Sequence, residues 1–365
     1  MFKLINLNVK STIFPAEVST LQEQKDGSYF VGLLFAEKSL LKLSLDDQGN
    51  LKDMTSLDIE SEFDADYLGI TGGLRGTSTG DTAFATLHKG SAGLMGLFKK
   101  AGTPKNQDEL WEDLSIGKGS YGFSYKHSIV QIVDGAFKLR RVKEPGVLLD
   151  VAHIGDFIFG LSGNTVFREP YLNSEKRYFL REDLETNYRL HKVEDGLFWL
   201  AGDQSRMMKL GLMDNKALPT TKKLPDLPMR ASSDSAADGW LYAVAGKSLF
   251  RVRVNTENKL DELQLVKTFE SGVPLSVTCT ELEVGEGEPR KAKIWVSVAQ
   301  ERSTQLYSFE TTRPEDMEDL PPAPELKKEW DSGDVLRLSN LSYSKKHGLV
   351  GSCFNTSGEA HLFLG

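Results

Sequence analysis

The phrase DGWLYAVAGKSLFRVRV, residues 238–254, opens on a turn dipeptide, runs through an aromatic-rich strand pattern, turns tightly and returns as a strand alternating apolar and basic residues. The same order recurs as DGSYFVGLLFAEKSLLKLSL at 26–45, GDFIFGLSGNTVFR at 155–168 and DGLFWLAGDQSRMMKLGL at 195–212. Looser copies read GDTAFATLHKGSAGLMGL at 80–97, AKIWVSVAQERSTQLYSF at 292–309 and GLVGSCFNTSGEAHLFL at 348–364. Each is a pair of period-two strands bounded by Gly, Asp, Asn or Ser, the signature of a hairpin whose turn needs unusual dihedrals. Such a unit cannot bury its own apolar faces, so copies must stack on one another.

Before each pair lies a strand of small and polar residues, such as Arg230–Ala237, and after most lies a fourth, such as Leu263–Phe269. Four strands repeated at about 40–55 residues is the rhythm of β-propeller blades. The sequence therefore predicts an all-β fold, a single β-propeller domain over residues 1–365. No amphipathic helical period runs beyond ten residues, which disfavours folds that alternate strands with helices. A chain of 365 residues would otherwise suggest two or three domains. The clear copies number seven, and 119–143 reads either as an incomplete three-stranded eighth module or as an embellishment on a seven-bladed ring; seven blades are favoured on the general frequency of such rings, with eight possible. The last copy lacks an outer strand, and residues 1–10 form an orphan strand, so the N-terminal strand is expected to complete the C-terminal blade and close the ring.

The six residues Gly117–Gly122, GKGSYG, spell G-x-G-x-x-G. A dinucleotide fingerprint needs those glycines between a strand and a helix, whereas here FSYKHSIVQIV continues as strand. Position 112 is Glu where a Walker A loop needs Gly. The segment is read as an interblade turn whose glycines supply positive φ.

A formal net charge of -8 argues against a phosphate-backbone partner. The longest basic run, Lys138–Lys143, alternates like a solvated strand face. The first residues lack a signal-peptide pattern, no stretch approaches the ~18 apolar residues of a membrane helix, and only Cys279 and Cys353 are present. These features lead to the expectation of a cytoplasmic protein without nucleic acid, membrane insertion or cofactor.

Catalytic motifs are not written locally. Six histidines are scattered without H-E-x-x-H, and there is no C-x-x-C and no G-x-S-x-G. No catalytic residue is assigned. Asp150, His153, Arg189 and His191 fall on expected innermost strands of successive blades, where they could face an axial channel and hold a metal or an anion, as could Cys279; satisfied core histidines are the more economical account. Trp199, Trp240 and Trp295 recur on the second strand, where large rings pack between blades.

Two insertions break the rhythm. Residues 90–110 place Leu94, Met95, Leu97 and Phe98 beside Lys99 and Lys100, a composition suited to an adaptable protein-binding surface, with part of the segment expected to serve as the third strand of its blade. Residues 311–334 are acidic and proline-rich and are expected to project as a loop or short arm. The Trp330-Asp331 dipeptide is assigned to this insertion.

The phrase at 238–254 resembles the blade phrase of the β-propeller superfamily at large, including its quinoprotein-like and lactonase-like groups. WD40-type Trp-Asp closures and tryptophan-docking motifs are missing, so the resemblance implies a fold and no functional residue. The leading expectation is a non-catalytic scaffold that binds another protein or complex. A propeller hydrolase or lyase with a metal or anion in its channel, and a carbohydrate or small-ligand binder, remain as alternatives.

Overall fold

The computed structural model describes, with side chains, most of residues 2–10, 21–33, 40–56, 238–253, 263–313, 322–333 and 337–365, and between them strands as backbone alone. Strand β1 (Lys3–Lys10) comes first in the chain. The first sheet follows as β2 (Ser19–Glu23), β3 (Tyr29–Leu33), β4 (Leu40–Leu45) and β5 (Leu51–Ser56). The second is β6 (Tyr67–Gly76), β7 (Thr82–Ala92), β8 (Phe123–Val133) and β9 (Ala136–Arg141), and the third is β10 (Leu148–Ile154), β11 (Phe157–Ser162), β12 (Val166–Pro170) and β13 (Tyr178–Arg181). The fourth comprises β14 (Asn187–Lys192), β15 (Phe198–Gly202), β16 (Arg206–Leu210) and β17 (Ala217–Lys223); the fifth, β18 (Met229–Ser232), β19 (Trp240–Ala245), β20 (Ser248–Val254) and β21 (Leu260–Thr268). The sixth holds β22 (Val273–Leu282), β23 (Lys291–Ala299), β24 (Thr304–Thr312) and β25 (Lys327–Asp331). The last contains β26 (Leu336–Ser344), β27 (Gly348–Asn355) and β28 (Glu359–Leu364), and takes β1 as its fourth strand.

Every sheet is antiparallel with neighbours in chain order, and the exception is β1, which pairs with β28 from Lys3↔Leu364 to Lys10↔Glu359. First strands of consecutive sheets are neighbours, β2 with β6, β6 with β10, β10 with β14, β14 with β18, β18 with β22 and β22 with β26; β26 also neighbours β2. Among the described residues no helix is long and apolar enough to cross a membrane.

Six of the seven repeated phrases fall on the second and third strands of a sheet. The exception is 80–97. Its first half is β7, but the third strand of that sheet is β8, which pairs Thr82↔Val133 through Ala92↔Phe123. Segment 119–143 therefore supplies the third and fourth strands of the second sheet and is not a module of its own. A short, glycine-rich apolar stretch reads like a strand locally, but the ladder goes to the longer β-branched run FSYKHSIVQIV. GKGSYG accordingly lies in the connection between two strands of one sheet rather than between blades.

The aspartate-glycine opening has a direct physical role. Asp238 Oδ1 accepts from Trp240 N at 3.1 Å, and Gly239 between them has φ +85°, a region closed to most L-residues. Asp26 repeats the arrangement, accepting from Ser28 N at 2.9 Å across Gly27.

Among the described residues, three apolar clusters lie between sheets. Trp240, Tyr242 and Val244 of β19 meet Ala292, Ile294, Val296 and Val298 of β23, so the even positions of β23 face the fifth sheet. Its odd-numbered Trp295 faces the last sheet, beside Leu306, Leu338 and Phe363. The third cluster joins the first sheet to the last: Leu21, Tyr29, Val31, Leu41 and Leu43 pack on Val350, Phe354 and Leu362, with Leu7 and Val9 of β1 fully buried among them.

Within β1 the register shifts between Asn6 and Lys10, and Asn8 there takes φ +52°, its N–H bonded to Asn6 Oδ1 at 2.7 Å. Asn tolerates that conformation and a β-branched residue does not. Leu7→Ala is expected to cost about 2–5 kcal/mol of unfolding free energy, as buried leucine truncations do. Asn8→Val should cost roughly 1–2 kcal/mol from backbone strain alone. Urea titration of both variants measures the two effects separately, and a neutral Asn8→Val would contradict the bulge.

Candidate functional site

The repeated phrase builds more than a turn. In the fifth sheet Tyr242 stands opposite Arg251 across β19 and β20, four residues after Asp238. The Tyr242 hydroxyl donates to Asp238 Oδ2 at 2.7 Å, and the Thr311 side chain, from the sixth sheet, is a further partner of that carboxylate. Arg251 is fully buried: its guanidinium lies 4.4 Å over the Trp240 ring, Nε donates to Gln264 Oε1 at 2.7 Å and Nη2 to the Pro322 carbonyl at 3.1 Å. Burial pushes the Asp238 carboxyl above its ordinary range, against the hydrogen bonds from Tyr242, Thr311 and Trp240 and the charge of Arg251. Burial also pushes the Tyr242 hydroxyl far upward, helped by the Asp238 charge.

The first sheet carries a solvated version. Phe30 opposes Lys42 in β3 and β4, and Lys42 Nζ sits 3.2 Å from Asp26 Oδ2. In the fourth sheet the register again sets Trp199 opposite Lys209, four residues after Asp195. In the two copies whose side chains are described, an aspartate at the turn and a basic residue opposite the fourth position after it thus form one recurring device. The aspartate-glycine pair and the basic strand are separate features of the sequence; the signal joining them is this offset.

A second polar group bridges the first and last sheets. Tyr29 Oη and His347 Nδ1 share a hydrogen bond of 2.7 Å, and His347 Nε2 lies 3.2 Å from the Asp46 carbonyl. Ser344 Oγ donates to Glu23 Oε1 at 2.8 Å, and Lys346 pairs with Asp47 at 2.8 Å. Burial pushes the Tyr29 hydroxyl up to about 12. The residues are chemically varied, but each partner lies across the sheet junction, so the group acts as a fastening.

The residues singled out from sequence are distributed as follows. Asp150 and His153 lie on β10, opposite Leu161 and Ile158, and Arg189 and His191 lie on β14, opposite Ala201 and Trp199. Both are first strands, and they are neighbours. Cys279, on first strand β22, is partly buried and packs against the cluster between the fifth and sixth sheets. Cys353 is buried, which pushes its thiol up to about 12. Leu94, Met95, Leu97, Phe98, Lys99 and Lys100 lie outside the described residues, as does GKGSYG. Their place in the topology is fixed by the strands on either side, β7 ending at Ala92 and β8 starting at Phe123. Trp199, Trp240 and Trp295 are all on second strands.

Trp330 and Asp331 do not belong to an insertion. They close β25, the outer strand of the sixth sheet, where Trp330 opposes Leu306 and packs on Phe2 and Phe363. The proline-rich segment is shortened accordingly, and its described end, 322–326, lies back on the molecule: Pro322 accepts from Arg251, and Leu326 packs on the cluster between the fifth and sixth sheets. Among the described residues no group of three or more His, Cys, Asp or Glu side chains is arranged to hold a metal ion.

No protein-family model matches the sequence, and no curated protein matches it. Among solved structures the chain is similar to virginiamycin B lyase from Staphylococcus aureus, at 11% identity and TM-score 0.59, covering 100% of this chain and 99% of that one. It is similar to a chain of the mitotic checkpoint complex at 10% identity and TM-score 0.61, with 99% and 92% covered. YCF48 bound to D1 peptide matches at 10% identity and TM-score 0.56, with 100% and 95% covered. These neighbours are β-propeller proteins, and the likeness at this identity shows the fold alone.

The raised Asp238 carboxyl sets a pH dependence. A carboxyl raised above its unfolded value, about 3.9, contributes stability that is present below that value and lost as pH rises through the folded one. Asp238→Asn removes the titration. The unfolding free energy of the wild type relative to Asp238→Asn should therefore fall as pH is raised from 4 to 7, measured by urea titration at each pH; a difference that grows over that range would show the carboxyl to be depressed instead.

Proposed function

We propose that this protein is a seven-bladed β-propeller, its ring closed by β1 in the last blade, that serves as a non-catalytic platform for another protein in a cytoplasmic assembly. The closed ring is supported by the neighbouring first strands and by the apolar cluster shared by the first and last sheets. The single-domain reading follows from it. The acidic charge and the absence of a cysteine framework favour a reducing compartment.

The observation that carries the platform reading is the hairpin of β7 and β8. Its strands run Thr82–Ala92 and Phe123–Val133, paired to their ends, and residues 93–122 join them. The corresponding connection in the fifth sheet is residues 246–247, and in the last sheet 356–358. Long connections within a compact fold are uncommon, and rigid scaffolds place recognition on such segments. It carries Leu94, Met95, Leu97, Phe98, Lys99 and Lys100, an apolar set with adjoining positive charge. In up-and-down blades a second-to-third connection and a third-to-fourth connection emerge at opposite rims, so 93–122 and 313–326 mark different faces of the ring. The solved neighbours include a chain of the mitotic checkpoint complex and YCF48 bound to D1 peptide.

A second reading takes its support from the likeness to virginiamycin B lyase. In it the channel-side strands β10 and β14 would offer Asp150, His153, Arg189 and His191 to a metal or an anion, for a hydrolase or lyase reaction. Positions 150 and 153 are three apart on one strand and fall on alternate faces, whereas 189 and 191 share a face.

The two readings separate in one experiment. Affinity capture from the native organism's lysate with the wild type and a Leu97→Asp, Phe98→Asp double variant is run beside metal analysis of the purified wild type. The platform reading expects a stoichiometric partner that the double variant loses. No partner together with a retained divalent metal would overturn it in favour of channel chemistry.

A further inference from the structure

The fastening between the first and last sheets contains one hydroxyl proton with two acceptors. Tyr29, fully buried on β3, holds its Oη 2.7 Å from His347 Nδ1, and the side chains of Glu23, at the end of β2, and Ser344, at the end of β26, are hydrogen-bond partners of the same oxygen. Ser344 is already committed. Its Oγ accepts from the backbone N–H of Lys346 at 3.2 Å and of His347 at 3.1 Å, which uses both lone pairs, and its own proton goes to Glu23 Oε1 at 2.8 Å. His347 Nδ1 and the Glu23 carboxylate are therefore the two places the Tyr29 proton can go.

The tautomer of His347 follows from its other nitrogen. Nε2 lies 3.2 Å from the Asp46 carbonyl oxygen, which can only accept, so Nε2 carries a proton. In the neutral ring Nδ1 is then bare, and the Tyr29 hydroxyl donates to it. Burial pushes that hydroxyl up to about 12, so the phenol keeps its proton throughout the range in which histidines change charge, about pH 5 to 8. A proton taken up from water by the ring goes to Nδ1. The new N–H donates to Oη, and the phenol proton turns to Glu23. Two separate fastenings, Asp46–His347–Tyr29 and Glu23–Ser344, become one chain with an imidazolium at one end and a carboxylate at the other, a charge-assisted arrangement.

We propose that His347, Tyr29 and Glu23 form a pH-sensitive switch at the junction of the first and last sheets, in which protonation of His347 reverses the Tyr29–His347 hydrogen bond and hands the Tyr29 proton to Glu23. Other charges stand around the three. In the turn that carries His347, Lys346 pairs with Asp47 of the β4–β5 turn at 2.8 Å, and Asp47 also feels the His347 charge; Lys345 is exposed. The Asp46 carboxylate is turned to Gln48 and Asn50 of its own turn, and Lys3 of β1 donates to the Gly49 carbonyl at 3.0 Å. In the β2–β3 turn Asp26 pairs with Lys42, and Lys25 is exposed. The switch is independent of the 93–122 surface.

The test is nuclear magnetic resonance of the full chain, following the imidazole nitrogens of His347 and the Cζ carbon of Tyr29 as pH is lowered from 8 to 5. His347→Gln assigns the first and Tyr29→Phe, which keeps the ring, the second; should Tyr29→Phe fail to fold, the through-space contact between the two rings, 5.8 Å apart at their centroids, assigns Tyr29 in the wild type. The expected result is an Nε2–H tautomer at pH 8, a Tyr29 Cζ signal that moves with the same midpoint as the His347 nitrogens, and a midpoint displaced to lower pH in Glu23→Gln, where the chain loses its negative end. An Nδ1–H tautomer at pH 8, a ring that does not titrate in this range, a Tyr29 signal flat through the His347 titration, or a Glu23→Gln midpoint that stays or rises would each overturn the switch.

Discussion

The structure depends on burying both faces of a sheet. Every residue of Tyr29–Leu33 and of Trp240–Ala245 is buried, so neither the odd nor the even positions reach solvent. A sheet of this kind requires a neighbour on each side. An open row of such sheets would leave two raw apolar faces at its ends, each worth several kcal/mol of unfavourable exposure at about 25 cal/mol per Å². The cluster of Leu21, Tyr29, Val31 and Leu43 with Val350, Phe354, Leu362 and Leu7 packs the first sheet on the last. The Tyr29–His347 and Ser344–Glu23 hydrogen bonds are found at the same junction, where apolar contact alone would allow the sheets to slide.

The buried Asp238 and Arg251 play a related part. Burying two charged groups yields little net stability compared with an apolar pair of similar volume. Their value lies in direction: Arg251 reaches Gln264 in its own sheet and Pro322 in the next, while Asp238 meets Thr311 of the next. Apolar faces permit many rotations of one sheet over another, and these bonds select one.

The repeat made the strands legible because its period and turn chemistry are local properties. DGWLYAVAGKSLFRVRV is a hairpin wherever it occurs, and the pairing of β1 with β28 was readable from a strand missing at one end and spare at the other. The copy at 80–97 misled because its Gly90–Ala92 continue β7 instead of turning back, and the place beside β7 goes to FSYKHSIVQIV, a partner far along the chain. Trp330-Asp331 was read into an insertion for the opposite reason: preceding prolines masked a short outer strand whose identity rests on Leu306 and Phe363. The Asp238–Arg251 device joins residues whose separation varies with hairpin length, 13 positions here and 16 between Asp26 and Lys42, so no fixed spacing displays it.

The irregularity in β1 has one more consequence. As the outer strand of its sheet, β1 presents unpaired backbone groups along one side, a template on which a second chain could add a strand. Its outward positions are Leu4, Asn6, Asn8 and Lys10, and the left-handed Asn8 breaks the straight run midway. A strand arriving from another molecule would find matching donors and acceptors for only a few residues before the kink throws it out of step, with Lys10 beyond. An edge strand interrupted in this way is a poor template for addition of another strand.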